Sequence, residues 1–115
     1  MQDGLIIDLF RIIDTGDYLS LTRIFQVDIV YERPGYAPLV GIDRLLEFYR
    51  NERIIASGTH HPWHIVTTKD AGACWGHFIG IGKDGSKINE RFADCYTFEE
   101  GKIKTRISYF FQPAI

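Results

Sequence analysis

The sequence predicts an α+β domain with helices packed on one face of an antiparallel sheet. Two observations carry that reading. Apolar residues recur at helical spacing through the first half of the chain, and the second half breaks into alternating segments separated by short Gly-containing turns. A chain of 115 residues, 45% hydrophobic and 14% aromatic, supplies one good core and no second.

The elements follow in order. Leu5, Ile6, Leu9, Ile12 and Ile13 share one side of a first helix, and Gly16 is its C-terminal stop. Asp17 can cap a short second helix over 17–25, with Leu21, Ile24 and Phe25 on its apolar side. QVDIVYERPG, 26–35, alternates as a strand that Pro34-Gly35 ends. GIDRLLEFYRNER, 41–53, is a third helix with Ile42, Leu45, Leu46 and Tyr49 in one stripe and Asp43 in its first turn. Four strands complete the chain, over 59–68, 73–83, 87–98 and 102–111, joined by KDAG, KDGS and EEGK. Asp-Gly between alternating segments is a strong hairpin signal.

Composition removes several function classes. A net charge of -2 gives no electrostatic case for nucleic acid or an anionic membrane as partner. No apolar run approaches the roughly 20 residues of a spanning helix. MQDGLIIDLF lacks the basic start and cleavage site of a signal peptide, so a cytoplasmic protein is the expectation. Cys74 and Cys95 are too few for a disulfide framework and lack metal-type spacing. No repeat, linker or composition shift divides the chain, so a single domain is expected over 1–115.

Asp94 stands between Phe92 and Tyr96 in a strand that is otherwise aromatic on one side. With Glu100-Gly101 as a two-residue loop, Asp94 pairs with Ile107 and Phe92 with Tyr109. Alternation then puts Ile88, Glu90, Phe92, Asp94, Tyr96, Phe98, Ile103, Ile107, Tyr109 and Phe111 on the core face. With Asp84-Gly85 as the preceding loop, Trp75 pairs with Asp94 and His77 with Phe92; one strand further out, His64 falls opposite His77. Several titratable groups then converge on one apolar face, where burial is expensive unless a site uses them. Under the same register Cys74 and Cys95 are cross-strand neighbours on the outer face, in a small apolar patch suited to a two-fold dimer.

TGDYLSLTRIFQVDIVYERPG, GIDRLLEFYRNER and ERFADCYTFEEGKIKTRISYF resemble, in this order and over nearly the whole chain, the SnoaL-like and ketosteroid-isomerase-like proteins of the nuclear transport factor 2-like superfamily. The resemblance implies a cystatin-like α+β barrel, in which three N-terminal helices lie in the concave face of a strongly curved antiparallel sheet. It also implies a ligand pocket inside that cone and a homodimer across the sheet's outer face. Asp94 matches a late-strand carboxylate that donates to the oxyanion in ketosteroid isomerases; a nearby Asp is the acid/base of SnoaL-like cyclases. His77 lies on the strand where such cyclases carry a pocket histidine. The isomerase's base position holds Arg33 here, and its first-helix tyrosine position falls at Leu9 or Phe10, which argues against steroid isomerisation.

The expected function is therefore acid/base catalysis, of isomerase, cyclase or dehydratase type, on a small, largely apolar ketone. Positioned proton-transfer groups contribute roughly 100- to 10,000-fold and need no cofactor. Asp94 and His77 are the expected catalytic pair. Arg33, Tyr31, His64, Trp75, Phe92, Tyr96 and Tyr109 are the expected substrate-binding residues. With no fixed cation opposite, desolvation would raise the pKa of Asp94, while a protonated His77 or an inward Arg33 would pull it back, so Asp94 and His77 are expected to titrate as a coupled pair. The alternative is a non-catalytic small-molecule-binding dimer with the same pocket. A metal site at His60, His61 and His64 is disfavoured, because an extended strand sends His61 and His64 to opposite faces and no cysteine or carboxylate stands beside them.

Overall fold

The computed structural model describes residues 2–112; the two ends of the expected 1–115 domain, residue 1 and residues 113–115, lie outside them. Helix α1 (Asp3–Thr15) is followed by a 3-10 turn at Tyr18–Ser20, α2 (Leu21–Ile24), β1 (Phe25–Glu32), β2 (Leu39–Val40) and α3 (Ile42–Glu47). A π-helical turn, Phe48–Glu52, continues α3, and the long strands β3 (Ile55–Thr67), β4 (Ala71–Gly82), β5 (Lys87–Glu99) and β6 (Lys102–Phe110) complete the chain. The strands form one sheet in the order β2-β1-β6-β5-β4-β3. It stays open, with β2 and β3 as its edges, and β1 pairs with β6 in parallel, so it is mixed rather than wholly antiparallel.

The helices lie against the concave side. Helix α1 buries Ile6, Leu9, Phe10, Ile12 and Ile13, and Gly16 closes it in a left-handed conformation. Both ends of α1 are tied to the region of β3. At the start, the Thr67 hydroxyl donates to Asp3, and the Gln2 amide donates to the Lys69 carbonyl at 3.1 Å. At the end, Asp14 takes the His60 backbone N–H at 2.9 Å. The expected second helix is divided between the 3-10 turn and the four-residue α2.

The expected register holds for β5 and fails on both of its neighbours. The Glu100-Gly101 turn forms with positive φ at both residues (51° and 75°), the conformation of a two-residue hairpin. A bulge follows at Lys104, because Phe98 pairs with Ile103 but Thr97 pairs with Thr105. Its side chain bonds Asp28 of β1 at 2.6 Å. One extra residue turns Arg106 and Ser108 inward, and Ile107 and Tyr109 outward. Asp94 therefore pairs with Ser108, not Ile107.

The β4–β5 loop has three residues, Lys83-Asp84-Gly85. Gly82 and Ser86 bond across it, and Gly85 takes a φ of 84° that an L side chain rarely adopts. That slip sets Cys74 opposite Asp94 and turns Trp75 and His77 to the outer face. On β3 a second bulge lies between Pro62 and His64. There the β3 backbone crosses so close to Gly76 that a Cβ would stand 2.2 Å from the His61 carbonyl oxygen. The bulge leaves His60 facing inward, opposite Phe78, and puts both His61 and His64 on the outer face, opposite His77 and Trp75.

Among the described residues no helix is long and apolar enough to cross a membrane. The expected Cys74–Cys95 outer patch does not exist: Cys74 is buried on the inner face and Cys95 exposed on the outer.

Candidate active site

The cavity inside the cone is lined by residues of β1, β3, β4, β5 and β6 and of the π-helical turn, among them Tyr31, Tyr49, His60, Asp94 and Arg106. About 20 Å³ of it is open to the centre of a water molecule. That is room for one or two waters.

Asp94, 1% exposed, sits at the centre of a closed polar network. One of its oxygens receives the Tyr96 hydroxyl at 2.9 Å and the Arg106 Nε and Nη2 at 3.1 and 2.8 Å. The other receives the Ser108 hydroxyl at 2.6 Å. These bonds decide where the protons lie. Since Ser108 gives its proton to Asp94, the Tyr31 hydroxyl, 2.7 Å from Ser108 Oγ, must donate to it. Arg33 in turn donates to the Tyr31 oxygen at 3.3 Å. A fixed cation thus stands opposite Asp94, so the premise of an uncompensated acid fails.

Burial works against the charge on Arg106, yet Asp94 and the ring of Tyr31, Tyr49 and Tyr96 oxygens hold its pKa well above the ordinary value. Burial raises the pKa of Tyr96, and Asp94 adds to that. Burial also raises Tyr31, against the pull of Arg106 and Arg33. The Cys74 thiol, 3.7 Å from the Tyr96 hydroxyl, is pushed up to about 12, chiefly by burial. It is no nucleophile at neutral pH.

Two further groups complete the site. Arg106 Nη1 donates to the Tyr49 hydroxyl at 2.9 Å, and that hydroxyl's own proton meets no acceptor among the described residues. Tyr49 faces the cavity because α3 widens into a π-turn at Phe48–Glu52, an insertion that commonly marks functional sites. The second group is His60, whose Nδ1 lies 2.5 Å from Asp14 Oδ1. Its ring stacks on Phe10 at 4.5 Å and packs against Phe78 at 4.6 Å. Its other nitrogen has no hydrogen-bond partner among the described residues, and the ring lines the cavity. Burial holds the His60 pKa below its ordinary value, with Arg106 and Arg53 adding to the effect, although the Asp14 bond pulls it upward. At neutral pH the imidazole is neutral, with Nδ1–H held by the carboxylate and Nε2 left as an acceptor.

Of the expected site residues, the structure brings Asp94, Tyr31, Arg33 and Phe92 together around the cavity, and bonds Tyr96 to Asp94 behind it. His77, Trp75, Tyr109 and His64 do not reach it, because the three register changes put them on the outer face. His77 bonds Asn89 there, His64 packs on Trp75 at 5.1 Å, and Tyr109 is 54% exposed. The residues that sequence reasoning missed are Asp14, Tyr49, Arg53, His60, Arg106 and Ser108. Only His60 had drawn attention, as a metal ligand, and its two companions face away from it.

A curved α+β sheet covered by helices is the fold this chain shares with solved NTF2-like and ketosteroid isomerase-like structures. Residues 6–106 match the SnoaL-like domain model, and the chain belongs to that family. No curated protein matches it. Solved structures similar to it share the fold at low identity. One is an NTF2-like protein of unknown function from Burkholderia pseudomallei K96243, with a TM-score of 0.86 and 15% identity over 95% of this chain and 89% of that one. A second is IdmH of Streptomyces antibioticus, a candidate polyketide cyclase, with a TM-score of 0.80 and 17% identity over 96% and 92%. A third is an LEH-like epoxide hydrolase of M. tuberculosis, with a TM-score of 0.80 and 15% identity over 93% and 80%.

Proposed function

We propose that this protein is an acid/base enzyme of isomerase, cyclase or dehydratase type acting on a small ketone, with His60 as its proton-transfer group. The observation that carries the reading is the Asp14–His60 pair: an imidazole whose Nδ1 lies 2.5 Å from a carboxylate oxygen, whose other nitrogen has no partner among the described residues, and whose ring lines the cavity. In this reading His60 Nε2 takes a proton from the carbon beside the carbonyl. The Tyr49 hydroxyl, polarised by Arg106, donates to the enolate oxygen as charge develops there. His60 then returns the proton to another carbon or to a leaving oxygen. Asp94 is a positioning residue: it fixes Arg106, which fixes Tyr49.

The printed activities of two structurally similar proteins, polyketide cyclisation and epoxide hydrolysis, support a chemistry of this kind on this fold. A non-catalytic binder with the same cavity is the second reading, and the small free volume constrains both. Any substrate larger than a few atoms must displace side chains to enter. The exposed Trp63, Trp75, Ile79, Ile81 and Tyr109 support a two-fold dimer through the outer face, which light scattering at micromolar concentration tests.

Deuterium exchange at the α-carbons of cyclic diketones and aryl ketones, followed by NMR in D2O, tests the catalytic reading. Exchange above the buffer rate is expected from the wild type, with a loss of about 100- to 10,000-fold in His60→Gln. Equal rates for the two proteins on any ketone that the wild type exchanges would remove His60 from the mechanism. Specific binding of the ketones without any exchange would favour the binder.

A further inference from the structure

We propose that the cavity is built for an organic anion and that Arg53 receives its charge. The inference deepens the reading above, on which the word substrate rests, by naming a chemical class: a small carboxylate, or an enol acidic enough to be ionised at neutral pH, on a flat apolar body. Arg53 is 6% exposed and lines the cavity, yet its side chain makes no hydrogen bond or ion pair among the described residues. Its Nε is buried with no hydrogen-bond partner among the described residues. The guanidinium is held instead over two rings, 5.4 Å from the centroid of Tyr49 and 5.8 Å from that of Phe78.

The buried guanidinium of Arg106 is arranged differently. Arg106 is neutralised by Asp94 at 2.8 Å. The cavity wall carries three arginines, Arg33, Arg53 and Arg106, against two carboxylates, Glu90 and Asp94. Asp94 is committed to Arg106, and the Glu90 oxygen Oε1 is occupied by the backbone N–H groups of Arg91 and Gln112. Neither wall carboxylate is bonded to Arg53 among the described residues. A buried guanidinium is costly unless an anion meets it, and ring faces compensate only in part. Its planar fork suits two oxygens sharing one charge, as in a carboxylate or an ionised 1,3-dicarbonyl. Arg53 is positioned by the fold rather than by a partner: its backbone N–H closes the π-turn on the Phe48 carbonyl at 2.9 Å. The cavity's apolar walls include Tyr49, Phe78, Phe92 and Phe110, which must part to admit a flat body.

Calorimetric titration with two matched pairs tests this: benzoate against benzamide, and 1,3-cyclohexanedione, which ionises, against cyclohexanone, which does not. The wild type is expected to bind at least one anion ten or more times tighter than its neutral partner. Arg53→Met should lose that preference and keep its affinity for the neutral compounds, and its Tm without ligand should equal or exceed the wild-type value. Preference for benzoate alone identifies a carboxylate ligand, and for the dione alone an ionised enol. Equal binding of both anions and their neutral partners by the wild type would overturn the proposal. So would an Arg53→Met protein that keeps the preference while its Tm falls, since Arg53 would then be structural. Anion preference without proton exchange would sink the acid/base reading and leave this one standing; exchange by a protein indifferent to charge would do the reverse.

Discussion

Two of the carboxylates at the interior, Asp94 and Asp14, are bonded in opposite ways. Asp94 accepts four side-chain hydrogen bonds, two of them from Arg106, and has nothing left to offer a substrate. Asp14 lies at the rim, accepts from the His60 backbone and ring, and leaves the imidazole with an open nitrogen. In the proposed reading the deeper group is scaffold and the shallower one orients the proton-transfer group.

The contrast is tested by variants that separate stability from activity. His60→Gln is expected to lower proton exchange by about 100- to 10,000-fold while unfolding within about 1–2 kcal/mol of the wild type in urea, since a similar volume remains in the ring cluster. An equally large loss of stability would make the Asp14–His60 pair structural. Arg106→Met should invert the pattern. It strands the Asp94 carboxylate in the core and is expected to cost about 3–5 kcal/mol, a large share of a small domain's stability. Asp94→Leu combined with Arg106→Met should recover part of that loss, which chemical denaturation of the three proteins would show. Ser108→Ala removes the acceptor of the Tyr31 proton along with one bond to Asp94, and about 1–3 kcal/mol is expected.

The smallest effect is on pH. Because the folded-state pKa of His60 lies below its unfolded value near 6.5, the unfolded chain takes up the proton first as pH falls. The contribution of His60 to stability is therefore complete above about 6.5 and declines below it, until the folded-state ring also protonates. His60→Gln should flatten that part of the Tm–pH curve. A curve unchanged in slope between pH 5 and 7 would mean that the imidazole titrates normally in the fold.

Much of the fold was legible in the sequence. The helical periodicity of α1, the Gly16 stop, the Glu100-Gly101 turn and the inward face of β5 all follow from local chemistry. The faces of β4 and β6 were not legible, for two different reasons. On β4 both faces are apolar, with Trp75, Ile79 and Ile81 on one and Cys74 and Phe78 on the other, so the pattern cannot choose between a two- and a three-residue loop. On β6 the pattern pointed the wrong way: Ile107 and Tyr109 look like core, while Arg106 and Ser108 look like surface. A polar cavity breaks binary patterning at the residues that build it. His60 was hidden by the bulge between Pro62 and His64, and Asp14 by its distance in sequence from the strand it bonds.

The parallel pairing of β1 with β6 has a kinetic consequence. Strands β3 to β6 are joined by short turns and can zip as successive hairpins, a process of microseconds for each. Phe25 must instead find Ile103 across more than half of the chain, and α1 must find β3 over sequence separations of 46 to 64 residues. Such contacts carry the largest loop-closure entropy and form late. The cavity draws Tyr31 from β1 and the oriented His60 from the α1–β3 contact, so it is assembled by the slowest steps. In a refolding experiment the sheet signal should rise first, and anion binding should appear only with the last phase.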